Sequence, residues 1–170
     1  MTDAAADGTW DARIARARRL AGEHPAAAGL LTFYAALAGY QRTLAGRRTP
    51  DPFSPALEAV PGFLAWLERE PTAPAALAET AADLHAIEQG EWRRLLRDRL
   101  SGSASAAAPV PEQALFVVDA VLQPFAGGAA GPCPFCPSPP VLGVLREEGH
   151  GARRGLVCAL CLQEREYRRV

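Results

Sequence analysis

Residues 133–161 read CPFCPSPPVLGVLREEGHGARRGLVCALC, and the two ends of that stretch decide how the chain is built. Cys133-Pro-Phe-Cys136 and Cys158-Ala-Leu-Cys161 hold all 4 cysteines of the sequence. Each C-x-x-C turn offers two thiolates, and a hairpin between them can fold one pair onto the other. That is the requirement of a tetrahedral four-sulfur metal site. The segment between the pairs has too few apolar residues to build a core, so a metal takes the core's place. Two disulfides fit the spacing poorly, because C-x-x-C closes a very tight ring. Nor does Met1 to Gly8, small and acidic, look like a secretory leader. A thioredoxin-like dithiol would place a single pair at a helix start after a strand, whereas Cys133 follows a glycine-rich stretch and has a partner pair.

The expected ligands are therefore Cys133, Cys136, Cys158 and Cys161, holding one zinc or iron ion, with zinc favoured over iron. Zinc would close the site as a staple; iron in the same cage would make it redox-active and rubredoxin-like. Four thiolates complete the tetrahedron and leave no position for substrate. No nucleophile elbow, phosphate-cradling loop or H-E-x-x-H helix accompanies the cysteines. The chain is accordingly expected not to be an enzyme, with no catalytic residues and no organic cofactor.

Bulk properties narrow the class. A chain of 170 residues is long enough for one domain plus an appendage. Its net charge of −1 argues against a general nucleic-acid binder, and no apolar run is long enough to span a membrane. All 18 basic residues are arginine, a compositional bias that lowers the functional weight of any one of them. A reduced cytoplasm is the expected location.

The remainder reads as helix. Trp10, Ile14, Ala17 and Ala21 recur at helical spacing until Gly22, and His24-Pro25 restarts the chain as cap and first turn. Leu30, Tyr34, Leu37, Gln41 and Leu44 line one side of the next helix, which ends near Gly46. Ser54-Pro55 looks like another cap, with Pro61 interrupting the helix that follows. Thr72–Gln89 and Glu91–Leu100 are expected as two helices broken at Gly90. After a small-residue linker, Glu112–Phe125 is the most apolar helix and is expected at the centre of the bundle. Val141–Leu145, Gly155–Val157 and Glu164–Val170 are strand candidates around the cysteines, and Gly127 to Pro132 is a joint. The fold class is thus mostly α: residues 1–126 form a helical bundle domain and residues 127–170 a small β-rich rubredoxin-like or zinc-ribbon module.

Three groups of residues, in this order, are similar to the formate dehydrogenase accessory protein family. Arg13-Ile14-Ala15-Arg16-Ala17, Leu20-Ala21, His24-Pro25, Leu30 to Tyr34, Leu37 and Gln41 resemble its first helices, and Leu122-Gln123-Pro124-Phe125 the approach to its metal region. The two cysteine pairs, with Ser138, Pro140-Val141, Gly143-Val144-Leu145, Leu156-Val157 and Glu166-Tyr167, resemble its first rubredoxin-like module. The resemblance is weakest between Thr49 and Pro111. It stops at Val170, where members carry a second module with two further cysteine pairs, so it extends to one metal. Cys136 is followed by Pro137 where such knuckles usually have glycine; one amide–sulfur hydrogen bond is therefore missing.

The resemblance implies a cytoplasmic maturation factor, chaperone-like, that binds the catalytic subunit of a formate dehydrogenase or a related metalloenzyme. Two other classes remain open: a small rubredoxin-like electron-transfer or redox-sensing protein, and a zinc-ribbon nucleic-acid-binding protein. For the latter, Arg153, Arg154, Arg165, Arg168 and Arg169 would supply a basic rim, diluted by Glu147, Glu148, Glu164 and Glu166. His24 is expected as a cap, His85 as an ordinary helix residue and His150 as an exposed turn. Arg93, Arg94, Arg97 and Arg99 are expected as a solvated helix face.

Overall fold

The computed structural model describes residues 4–45, 51–101, 111–126, 140–149, 151–158, 160 and 164–166. Among them the chain is mostly helical, with a small antiparallel sheet near the C-terminus. Helices α1 (Ala4–Glu23) and α2 (Ala28–Ala45) form an antiparallel pair joined by one 3-10 turn over Pro25–Ala27. They are followed by α3 (Phe53–Leu67), α4 (Ala75–Leu84), α5 (Gln89–Ser101) and α6 (Glu112–Ala126).

Helix α6 packs against α2, α3, α4 and α5, which puts it at the centre as its apolar pattern requires. Val117, Val118, Val121 and Leu122 are wholly buried there, between Val60, Phe63 and Leu64 of α3 and Leu95 and Leu96 of α5 in one cluster. An aromatic group closes one side. Tyr40 stacks on Trp66 at 4.9 Å between ring centroids, and Phe63 meets Tyr40 and Trp66 at 5.5 Å each. Offset and tilted contacts of this kind add to the area the rings bury.

A single apolar stripe was expected on α2, and the structure corrects it. Phe33, Leu37 and Gln41 face the main core, while Ala35, Ala38 and Ala45 face Trp10, Ile14 and Ala17 of α1. Leu30 is 66% exposed, and Tyr34 packs on the α1 side. The helix is sandwiched, so two faces are buried where one period predicts one. Ion pairing of Arg42 with Asp11 and the Arg13 guanidinium 4.6 Å over the Trp10 ring finish the α1–α2 contact.

One helix interior and three helix ends also differ from expectation. Helix α3 runs unbroken through Pro61, because that ring lies on the exposed face while Val60, Phe63 and Leu64 beside it are buried. Their burial, about 1.5–3 kcal/mol each, offsets the roughly 3 kcal/mol that an internal proline costs. The start of α3 is fixed by Asp51 rather than Ser54. Asp51 Oδ1 accepts the Phe53 N–H at 2.9 Å, and Ser54 Oγ donates to Asp51 Oδ2 at 2.8 Å. The Ser54 hydroxyl, followed by the Phe53 amide, holds the Asp51 carboxyl below the usual aspartate range. Thr72 does not begin a helix, since its N–H and hydroxyl both donate to Glu70 Oε1, at 3.1 and 2.6 Å. The next break precedes Gly90: α4 ends at Leu84, and the Glu88 carbonyl starts the α5 ladder by accepting from Glu91 and Trp92.

Pro124 inside α6 has a structural counterpart on α2. Having no N–H, it leaves the Ala120 carbonyl without its helical donor. Gln41 Nε2, on a side chain only 2% exposed, donates to that same Ala120 oxygen at 2.9 Å. One amide therefore repairs the ladder that the proline opens and ties α2 to α6. Gln41 Oε1 is buried, with no donor among the described residues. The repair predicts a coupling. Gln41→Leu leaves a buried carbonyl unsatisfied at a cost of about 1–3 kcal/mol, partly offset by removal of the orphaned Oε1. In a Pro124→Ala background, where the ladder closes itself, the same change should cost at least about 1 kcal/mol less. Urea unfolding of the four chains measures it, and additive effects would refute the repair.

The C-terminal sheet has strand order β1 (Pro140–Glu148), β2 (Gly151–Cys158), β3 (Glu164–Glu166), all antiparallel, so β3 adds a short third strand to a long hairpin. Glu148 pairs with Gly151, leaving a two-residue turn whose Gly149 has φ 58°. Turns of that length need positive φ at the first central position, which glycine adopts without strain.

Candidate metal centre

The β1–β2 register determines what the hairpin can bring together. Pro140 pairs with Cys158, with an irregularity between Pro140 and Leu142, so the start of β1 lies beside the end of β2. Pro140 is the fourth residue after Cys136, and Cys158 opens the second cysteine pair. The hairpin thus sets Cys158 beside the first described residue of β1. A register slipped by several residues, or a parallel pairing, would separate them.

Of the four expected ligands, Cys158 is described: it closes β2 and is 8% exposed. Cys133, Cys136 and Cys161 lie outside the described residues, as does His150. Among the described residues, no group of three or more His, Cys, Asp and Glu side chains is gathered for a metal. The donor chemistry fits a soft or borderline ion. A cysteine at a strand end that opens a C-x-x-C sequence is the donor type such ions take.

Sequence reasoning missed the residues that hold this turn. Leu160, between the two cysteines of the second pair, is 0% exposed and belongs with Cys158 to the same apolar cluster as the helical core. Gln123 of α6 donates from Nε2 to the Leu160 carbonyl at 3.0 Å. Neither residue type carries a sequence signal of its own, since the contact joins segments 37 residues apart.

The sheet has its own electrostatic brace. Arg146 Nε on β1 donates to Glu164 Oε1 and Oε2 on β3, at 3.0 and 2.8 Å. To make that reach the Glu164 side chain lies over Gly155 of β2, where a Cβ would come within 2.5 Å of its Oε1. The hydrogen bond from Arg146 holds the Glu164 carboxyl below the usual glutamate range and raises the Arg146 guanidinium. A depressed carboxyl contributes stability above its ordinary range and loses it as pH falls through the lowered value. Hairpin amides from residue 144 to 157 should therefore exchange faster, relative to those of α3, as pH drops from about 5 to about 3. Intrinsic-rate-corrected hydrogen exchange checks this; a constant ratio would show that the pair does not brace the sheet.

The remaining candidates are accounted for by local structure. His24 sits at the cap position before Pro25, but its imidazole makes no capping hydrogen bond. His85 Nε2 lies 3.3 Å from Glu68 Oε1. Arg94 Nε and Nη1 meet Glu91 and Asp98 at 2.9 and 3.0 Å. Arg97 lies over the Phe53 ring, and Arg99 Nη2 reaches Asp119 Oδ2 at 3.2 Å, tying α5 to α6. These arginines serve the fold. A half-open cleft of about 190 Å³ lies between α3 and α5, lined by Leu57, Val60, Pro61, Leu64, His85, Ile87, Gln89 and Trp92. Its walls come from two separate stretches, 57–64 and 85–92, which is why no local pattern signalled it. No helix among the described residues is long and apolar enough to cross a membrane.

Comparison with known proteins finds no matching family, no matching curated protein and no matching solved structure.

Proposed function

We propose that this chain is a non-enzymatic maturation factor that binds the catalytic subunit of a formate dehydrogenase or a related metalloenzyme, and that Cys133, Cys136, Cys158 and Cys161 hold one zinc or iron ion in a rubredoxin-like or zinc-ribbon module. The observation that carries the metal reading is the hairpin register, with Pro140 beside a buried Cys158. The client rests on the resemblance of the first two helices, the Leu122–Phe125 segment and the cysteine turns to the formate dehydrogenase accessory protein family. A helical bundle with a closed metal staple suits a binding role in the cytoplasm better than turnover. Arg13, Arg94, Arg97, Arg99 and Arg146 each meet a carboxylate or a ring, and the net charge of −1 weighs against nucleic acid.

The test has two stages. Metal analysis of the chain purified under anaerobic conditions should give one zinc or iron per chain, and none in Cys158→Ser. Affinity capture from the native host should then recover a molybdenum- or tungsten-type formate dehydrogenase subunit with the wild type and lose it with the variant. Recovery of a different oxidoreductase would replace the client. Recovery of no metalloenzyme would overturn the maturation role and leave the metal reading to stand on the first stage.

A further inference from the structure

Helix α6 ends on four residues of different chemistry, each with an assigned contact. Leu122 and Phe125 are core; Pro124 frees the carbonyl that Gln41 binds. Gln123 alone reaches outward, to the Leu160 carbonyl inside the second cysteine turn. We infer that Gln123 and Leu160 are positioning residues of the metal site: they seat the Cys158 turn on the end of α6, so that holding the metal and closing that end of the bundle are one coupled event. This rests on the four-cysteine reading and goes beyond it, because a self-contained knuckle would need neither contact.

Two observations carry the inference. First, Leu160 stands between two metal-ligand positions yet is wholly buried in the cluster that contains Leu122 and Phe125. A residue at that place in an independent ribbon would have only its own small module to cover it. Here the bundle does so. Second, the carbonyl of the same residue, in a partly buried position, takes its donor from a helix 37 residues earlier in sequence. The side chain of one residue is thus buried in the core cluster to which α6 contributes, and its backbone is held by the end of that helix, which seats Leu160 on the bundle. Outer contacts of this kind orient the ligands, and their loss typically lowers metal affinity about 10–100-fold. Linkage makes the effect reciprocal: whatever the bundle contributes to metal retention, the metal returns to the end of α6.

The experiment uses the full chain loaded with zinc. Gln123→Met keeps the shape and removes the donor; Leu160→Ala empties the socket. Transfer of zinc to a colorimetric chelator should be on the order of ten-fold faster in each variant than in wild type, with the helical circular dichroism of Gln123→Met unchanged. Separately, chelating zinc from the wild type should raise hydrogen exchange on the order of ten-fold at the α6 amides from 117 to 126, with those of α3 from 60 to 67 holding. Unchanged release in Gln123→Met overturns the positioning role. A wild type that holds zinc but shows the same α6 exchange after chelation overturns the coupling. A wild type that binds no zinc or iron at all removes the four-cysteine reading itself, a failure that the other two outcomes do not share.

Discussion

Cys158→Ser should abolish metal binding and unfold the C-terminal hairpin while most of the helical signal in the far ultraviolet survives. The proposed site has four thiolates and no spare ligand, so one missing sulfur opens the cage. Metal binding of this type supplies on the order of 10–16 kcal/mol to small domains that lack a core of their own. The hairpin is such a segment: its exposed strands carry Arg146, Glu147, Glu148, Arg153 and Arg154, and Leu145 is open to solvent. The bundle is not, for its cluster draws on α2 to α6. Damage should nevertheless reach one place in it, the α6 end that meets Leu160. Metal content, circular dichroism and limited proteolysis together report the result. A variant that keeps its metal would show that the ligand set is wrong.

Phe63→Ala should lower stability by about 3–5 kcal/mol, on the order of 10 °C in Tm. Phe63 is fully buried on α3, and its ring meets those of Tyr40, Trp66 and Phe116. Alanine there removes both the buried area and the ring contacts, and neighbours held by three other rings cannot collapse into the space. The loss is a large fraction of the 5–15 kcal/mol typical of a domain. Denaturant titration measures it, and a shift below about 1 kcal/mol would show that the aromatic group is looser than its geometry. Metal content should be unaffected by the substitution, in contrast to Cys158→Ser, because Phe63 lies away from the α6 end.

Among the described residues, periodicity was enough to find the six α-helices and part of each long strand, because amphipathic spacing and short-range turn chemistry are local properties. It failed where packing between distant segments decides. Pro61 reads as a break until Val60, Phe63 and Leu64 are seen buried on either side of it. The two buried faces of α2 are invisible to a method that looks for one stripe. Gln41, expected on an apolar face, has its reason 83 residues away in Pro124, since it bonds the Ala120 carbonyl that the proline leaves. For the candidate site, the four cysteines and their spacing could be read directly. The side chains that support them could not, because Gln123 and Leu160 are unremarkable residue types that gain meaning only from their contact.

The separate alanine-lined cluster between α1 and α2 has a consequence for how the chain opens. Trp10, Ile14 and Ala17 bury themselves against Ala35, Ala38 and Ala45, which offer little apolar area compared with the ring-filled interior. Helix α1 therefore packs in a cluster of its own and forms a foldon apart from the main core. It can peel from α2 and return many times for each opening of the whole domain, so its amides exchange through a private low-energy excursion. What it uncovers on leaving is a strip of methyl groups on an otherwise intact helix, a surface too slight to drive aggregation. The segment through Glu23 is thus a place where the protein can breathe without risk to the rest.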